Sequence, residues 1–271
     1  MDLDPDDDQR ALQDTVARFA ADRWPMERVR EAAEGIDRSA WRELAELGTF
    51  VLSVPEAEGG VGLRAIDAVL VHEALGAALV PGPLIGSTLA APFDADVAAG
   101  VALAGVIEPR VGTAMLVEHA SSLDSLWIVR DSGVSVVAVD ELELEPVRRP
   151  IDPTTPLALA RDLPAGTEVG GPELAAHWRR SGTVLAAAQL VGGSEASTAL
   201  AVAYASEREQ FGRPVGSFQG LKHLLADSFV RTELARSALW AAGVLLDEPD
   251  AGDPDRAIAG AMPVSYTHLR A

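Results

Sequence analysis

Apolar residues recur at helical spacing through the first hundred positions. Leu12, Thr15, Val16 and Phe19 fall at i, i+3, i+4 and i+7, which puts them on one face of an amphipathic helix. Ser39 stands where an N-cap belongs, ahead of a helix through Trp41, Leu44 and Leu47, with Gly48 as its stop. The stretch Val54-Pro55-Glu56-Ala57-Glu58-Gly59-Gly60-Val61-Gly62 carries the proline and glycines of a loop. A third helix is predicted through Ile66, Val69, Leu70 and Leu75, ending near Pro81-Gly82-Pro83.

The period changes after about residue 105. Leu126 to Val129 and Val134 to Val139, separated by Asp131-Ser132-Gly133, read as two strands around a tight turn. Glu141-Leu142-Glu143-Leu144-Glu145 alternates with period two, as a half-buried strand does. Pro146, Pro150, Pro153, Pro156 and Pro164 exclude helix from the segment that follows. From Glu173 the helical period returns. Leu221, Leu225 and Phe229 form one run, and Leu234, Ala238, Ala241 and Leu245 continue it. Gly192, Gly193, Ala196 and Ala199 are small enough to let neighbouring helices approach closely.

These shifts predict a mainly α chain with a small middle β domain. The boundaries fall at 1–104 for an N-terminal helical domain, 105–163 for the β domain and 164–262 for a C-terminal helical bundle. Pro263 should break the last helix, so 263–271 reads as a non-native tail that adds nothing to the fold.

Composition narrows the function classes. With 271 residues and nearly half of them apolar, a sizeable core forms without cross-links; there is no cysteine, which excludes disulfides and thiolate chemistry. A net charge of −19 repels phosphate backbones, so nucleic acid is not an expected partner. Lys222 is the single lysine. That bias fits GC-rich codon usage, so arginine abundance alone is no sign of phosphate binding. No apolar run is long enough for a membrane span, and the acidic start Met1 to Asp8 lacks the features of a leader; a cytoplasmic protein is expected. His72, His119, His177, His223 and His268 show no metal-ligand spacing, and no G-x-S-x-G elbow supports a hydrolase.

The most informative stretch runs from Tyr204 to Gln219 and contains Arg208-Glu209-Gln210-Phe211-Gly212-Arg213-Pro214. Physically it reads as a helix ending at Gly212, a Pro-Gly turn, and a new helix near Ser217. Arg208 alone would be an ordinary helix-end charge. The segment, however, resembles the R-x-x-F-G…F-Q signature of acyl-CoA dehydrogenases. Leu47-Gly48 with Val54-Pro55-Glu56…Gly59-Gly60-Val61-Gly62-Leu63 is similar to that family's L-G…P-E-x-x-G-G-x-G-L stretch, and His72-Glu73-Ala74-Leu75-Gly76 to its E-x-L-G helix.

The resemblance implies an acyl-CoA dehydrogenase-like fold, with a C-terminal bundle at the core of a homo- or hetero-oligomer. It implies FAD as cofactor, with Arg208, Gln210, Phe211, Phe218 and Gln219 as its contacts. It also implies an acyl-CoA thioester as substrate and an electron-transfer flavoprotein as acceptor. In the family a glutamate removes the α proton while the β hydrogen leaves as hydride.

Three departures temper this. The family's usual base glutamate falls beyond the last residue here, and the alternative base position matches Gly182, followed by Thr183. The flavin-lining T-E-P-x-x-G-S-D stretch survives only as Ile107-Glu108-Pro109. The bundle lacks its last helices, so apolar helix faces should be uncovered. Two readings follow: a catalytic subunit, or a non-catalytic subunit that completes a partner's FAD site. No catalytic residue is assigned, and the chain alone should not turn over acyl-CoA.

Overall fold

A computed structural model describes residues 4–31, 35–109, 115–253, 255–258 and 260; the tail at 263–271 lies outside the described residues. The chain opens with α1 (Asp7–Arg23), α2 (Met26–Glu31) and α3 (Arg38–Glu46). On α1 the buried residues are Gln9, Val16 and Ala20; Thr15 turns outward and donates its hydroxyl to the Ala11 carbonyl. The cap of α3 is Asp37 and not Ser39. Its carboxylate accepts the N–H groups of Ser39 and Ala40 at 3.0 and 3.1 Å, so the helix begins earlier than the sequence reading placed it. Gly48 does close that end, at φ +79°.

Next come α4 (Ala65–Ala77), α5 (Leu84–Ala90) and α6 (Ala95–Ala98). Every residue of α4 from Ile66 to Gly76 is buried, as expected of a helix enclosed on all sides.

Seven strands follow: β1 (Ala104–Ile107), β2 (Met115–Glu118), β3 (Ser125–Arg130), β4 (Gly133–Ala138), β5 (Leu144–Pro146), β6 (Leu157–Ala160) and β7 (Thr167–Gly170). One sheet has the order β1-β3-β4-β7, with β1 parallel to β3 and the rest antiparallel; the other has the antiparallel order β2-β6-β5. The β3–β4 hairpin turns at Asp131-Ser132, as its sequence predicts. The alternating Glu141–Glu145 run is only partly a strand, because Val139–Glu141 winds into a 3₁₀ turn before β5. The chain then forms α7 (Pro172–Glu207), β8 (Glu209–Gln210), β9 (Arg213–Pro214) and α8 (Gln219–Asp247).

These elements group into two compact units. The first comprises 1–22, 65–79 and 183–271, and the second 23–64 and 80–182. In the first, Ile66 and Val69 of α4 pack with Val184, Ala187, Ala188 and Val191 of α7 and with Ala235, Leu239 and Ala242 of α8. Glycine sets the approach of α4 to α7: a Cβ on Gly192 would lie 1.9 Å from the Glu73 carbonyl oxygen, and one on Gly76 2.3 Å from that of Gln189. On α8 the expected apolar run is only partly the buried one: Leu245 is buried and Ala238 packs against the core. Thr232, Ala235, Leu239, Ala242, Gly243 and Leu245 are buried, whereas Phe229 and Leu234 are 58% and 61% exposed. The helix rotates its small residues inward because the α4 contact demands close packing.

In the second unit, Trp41 and Phe50 stack at 5.0 Å, and Phe93, Trp127 and Trp178 form an aromatic cluster with centroids 5.5–6.2 Å apart. Arg38 fixes α3 to the loop before β3 through Asp124 (2.7 Å) and the Ser122 carbonyl (2.7 Å). Arg179 of α7 pairs with Glu108 (2.6 Å) and Asp131 (2.9 Å), so Glu108 of the Ile107-Glu108-Pro109 stretch is engaged in an ion pair.

Candidate functional site

The connection between α7 and α8 is where the structure departs most from the expected local form. The helix ends at Glu207, not Gly212: Arg208 donates its backbone N–H to the Tyr204 carbonyl and accepts that of Val215 at 2.7 Å. The chain then makes a two-residue hairpin, pairing Glu209 with Pro214 and Gln210 with Arg213. Its central residues, Phe211 and Gly212, have φ of +54° and +77°, the two left-handed positions that a type I′ turn requires. Glycine suits the second. Phenylalanine at the first is strained, and strained residues gather at ligand sites.

Ser217 does not cap α8 either. It sits in a 3₁₀ turn (Val215–Ser217), and its Oγ is buried without a hydrogen-bond partner. The capping position falls on Phe218, whose side chain cannot accept a bond, so no side chain satisfies the first N–H groups of α8. A 29-residue helix therefore presents an open positive end.

Around this end Arg208, Arg213 and Lys222 stand beside the exposed carboxylates of Glu207 and Glu209. Arg208, Arg213 and Lys222 form no ion pair among the described residues, in a chain with 41 acidic and 22 basic residues. Such an excess of carboxylates would ordinarily supply surface arginines with partners.

Phe211 is 91% exposed and meets the Phe218 ring edge-on, with centroids 6.2 Å apart and planes at 87°. Arg213 covers the Phe218 ring at 4.1 Å. The five residues expected as cofactor contacts thus share one hairpin-and-helix junction: Arg208 at its base, Gln210 on β8, Phe211 at the tip, and Phe218 and Gln219 at the start of α8. Open helix amides, an unpaired guanidinium, an orphaned hydroxyl and an exposed ring fit a ligand with anionic oxygens and a flat apolar group.

Sequence reasoning missed Arg213, although its place opposite Gln210 follows once a two-residue turn at Phe211-Gly212 is recognised. It also missed the one buried ionic cluster of the first unit seen among the described residues. Glu73, 3% exposed, accepts from Arg236 Nε (2.6 Å) and Trp240 Nε1 (3.1 Å), and Arg236 also reaches Glu195 (2.7 Å) and Glu233. Burial pushes the Glu73 carboxyl up, against the pull of Arg236. The available signal was a glutamate inside an otherwise apolar helix.

The alternative base position is apolar. A Cβ at Gly182 would touch Leu89 and Ile85 at 3.5 and 3.7 Å, an ordinary contact distance, and the glycine carries no carboxylate. Glu195 is occupied by Arg236, and Glu173 is exposed in the first turn of α7. Among the described residues there is no cluster of His, Asp and Glu able to hold a metal, and no helix is long and apolar enough to cross a membrane.

A long-helix scaffold with a small β region is the architecture of an acyl-CoA dehydrogenase-type fold. The family models described as acyl-CoA dehydrogenase, N-terminal domain and C-terminal domain match residues 6–93 and 180–267. The chain is 33% identical to acyl-CoA dehydrogenase IpdE2 of Mycobacterium tuberculosis, covering 88% of this chain and 76% of that protein. The Mycolicibacterium smegmatis IpdE2 is 34% identical, with coverage of 86% and 76%. The chain belongs to the acyl-CoA dehydrogenase family. Its fold is shared by the ChsE4-ChsE5 complex from Mycobacterium tuberculosis (TM-score 0.83, 23% identity, 96% of this chain and 83% of that one). It is shared too by PigA with FAD and proline (TM-score 0.81, 19% identity, 99% and 86%).

Proposed function

We propose that the chain is a subunit of an acyl-CoA dehydrogenase assembly that carries out α,β-dehydrogenation of an acyl-CoA thioester, and that its α7–α8 junction grips the FAD pyrophosphate. The observation that carries this reading is the uncapped start of α8 near an arginine with no carboxylate partner among the described residues. When bound, FAD supplies the hydride acceptor for the β hydrogen.

The chain's own residues would do the following. Arg208 offers two parallel N–H groups to phosphate oxygens. The first amides of α8 face the same charge, and the Ser217 hydroxyl gains the partner it lacks among the described residues. Phe211 supplies an exposed apolar face. The proton-abstracting carboxylate comes from outside the described residues, since Gly182 has none. An electron-transfer flavoprotein is the proposed electron acceptor.

Gly182 also supports a second reading, in which this chain is a non-catalytic subunit that completes the FAD site of a homologous partner. The ChsE4-ChsE5 complex shows that this fold occurs in two-protein assemblies. Exposed apolar residues beside the junction, Leu200, Tyr204, Leu224 and Val230, are consistent with a covering subunit.

A dye-reduction assay with short, medium and long acyl-CoAs and added FAD separates the readings. The chain alone should give no turnover, because general-base assistance is worth about 10²–10⁴-fold and no positioned base lies among the described residues. Activity on adding a homologous gene product selects the second reading. Turnover by the chain alone would require a base among its own residues and contradicts both readings.

A further inference from the structure

The hairpin that carries the proposed grip is held by little backbone. Strands β8 and β9 make two residue pairs, and such a hairpin is marginal in water by itself. Phe211 at its tip adds a left-handed conformation that L-residues disfavour. One further backbone bond, from Val215 N–H to the Arg208 carbonyl, closes its base.

The remaining ties are side chains, and they converge on Phe218. Arg213 of β9 lies over one ring face at 4.1 Å, while the Phe211 ring meets it edge-on. Phe218 is the residue from which α8 starts, so the Arg213 contact joins β9 to the open end of the helix. Among the described residues Arg213 makes no ion pair despite the acidic excess of the chain, so no carboxylate there draws it off the ring.

We propose that Arg213 is a positioning residue: by stacking on Phe218 it ties the hairpin bearing Arg208 to the uncapped start of α8, so that guanidinium and helix amides meet one anionic ligand together. This rests on the FAD grip proposed above. Arginine suits the role because its planar guanidinium lies flat on a ring, whereas a lysine ammonium is a compact point charge.

The test compares Arg213→Met, Arg213→Lys and Phe218→Leu, singly and combined, with Arg208→Ala as control. FAD retention and backbone amide exchange are measured on the assembled protein. Arg213→Met should weaken FAD retention about three- to thirtyfold, the range of a cation–π contact, with Arg213→Lys intermediate. In the Phe218→Leu background Arg213→Met should add nothing, because the ring through which it acts is gone. Exchange at Gln210 and Arg213 should quicken in Arg213→Met and in Phe218→Leu but not in Arg208→Ala. Equal losses in both backgrounds would make Arg213 a direct phosphate contact and overturn the bracing role, as would unchanged exchange. Undiminished FAD retention in Arg208→Ala, with quickened exchange in Arg213→Met, would overturn the FAD grip and leave the brace standing.

Discussion

Single residues decide how this chain responds to pH. Burial lowers the pKa of His72 from its ordinary 6.5 to about 4, and His119 is lowered to about 4 by the same cause. Gln189 Nε2 donates to His72 Nδ1 at 3.1 Å, so the neutral ring carries its proton on Nε2. A base whose folded pKa is depressed stays neutral in the fold while the unfolded chain takes up protons. Stability is therefore complete above about pH 6.5 and falls as pH drops toward 4, by on the order of 3 kcal/mol for His72. Urea midpoints between pH 7.5 and 4.5 should show this decline, and His72→Gln should flatten it. A parent midpoint that does not move would contradict the buried neutral histidine. None of this was legible beforehand: five histidines without ligand spacing read as ordinary residues, and burial is a property of the fold. The Ser39 cap failed for a simpler reason, since Asp37 caps equally well and stands two residues earlier.

At the scale of elements, the α4–α7–α8 packing rests on two kinds of contact with opposite tolerance. Gly192 has no room for a methyl group, so Gly192→Ala should destabilise by about 1–3 kcal/mol through overpacking. Gly193, where the nearest atom to a built Cβ is 3.7 Å away, should accept alanine and gain up to about 1 kcal/mol. Denaturation midpoints that rank the two the other way would contradict the crossing. Arg236→Met should cost about 3–5 kcal/mol, because it strands Glu73 at 3% exposure without its guanidinium. Adding Glu73→Gln should recover part of that loss.

Small residues in a helix advertised the close approach, so Gly192 could be read from sequence. The buried face of α8 could not, because its apolar run continues along a helix whose inward side is chosen by a partner. The Phe211-Gly212 hairpin was missed because helical periodicity cannot register a left-handed phenylalanine.

For the whole molecule, the order of helices, strands and helices was legible because period and proline placement change abruptly, and motif order along the chain pointed to the family. The grouping into two units was not, since 65–79 joins the C-terminal helices across more than a hundred residues of sequence. The claim that matters most is that the α7–α8 junction is built to hold an anionic cofactor. Its most direct test is FAD affinity of the assembled protein with and without Arg208. Arg208→Ala should weaken binding about ten- to hundredfold, as loss of charged hydrogen bonds worth roughly 1.5–3 kcal/mol implies, with unchanged far-ultraviolet circular dichroism. Equal affinity in variant and parent would contradict the account and leave Arg208 an ordinary charge beside the end of a helix.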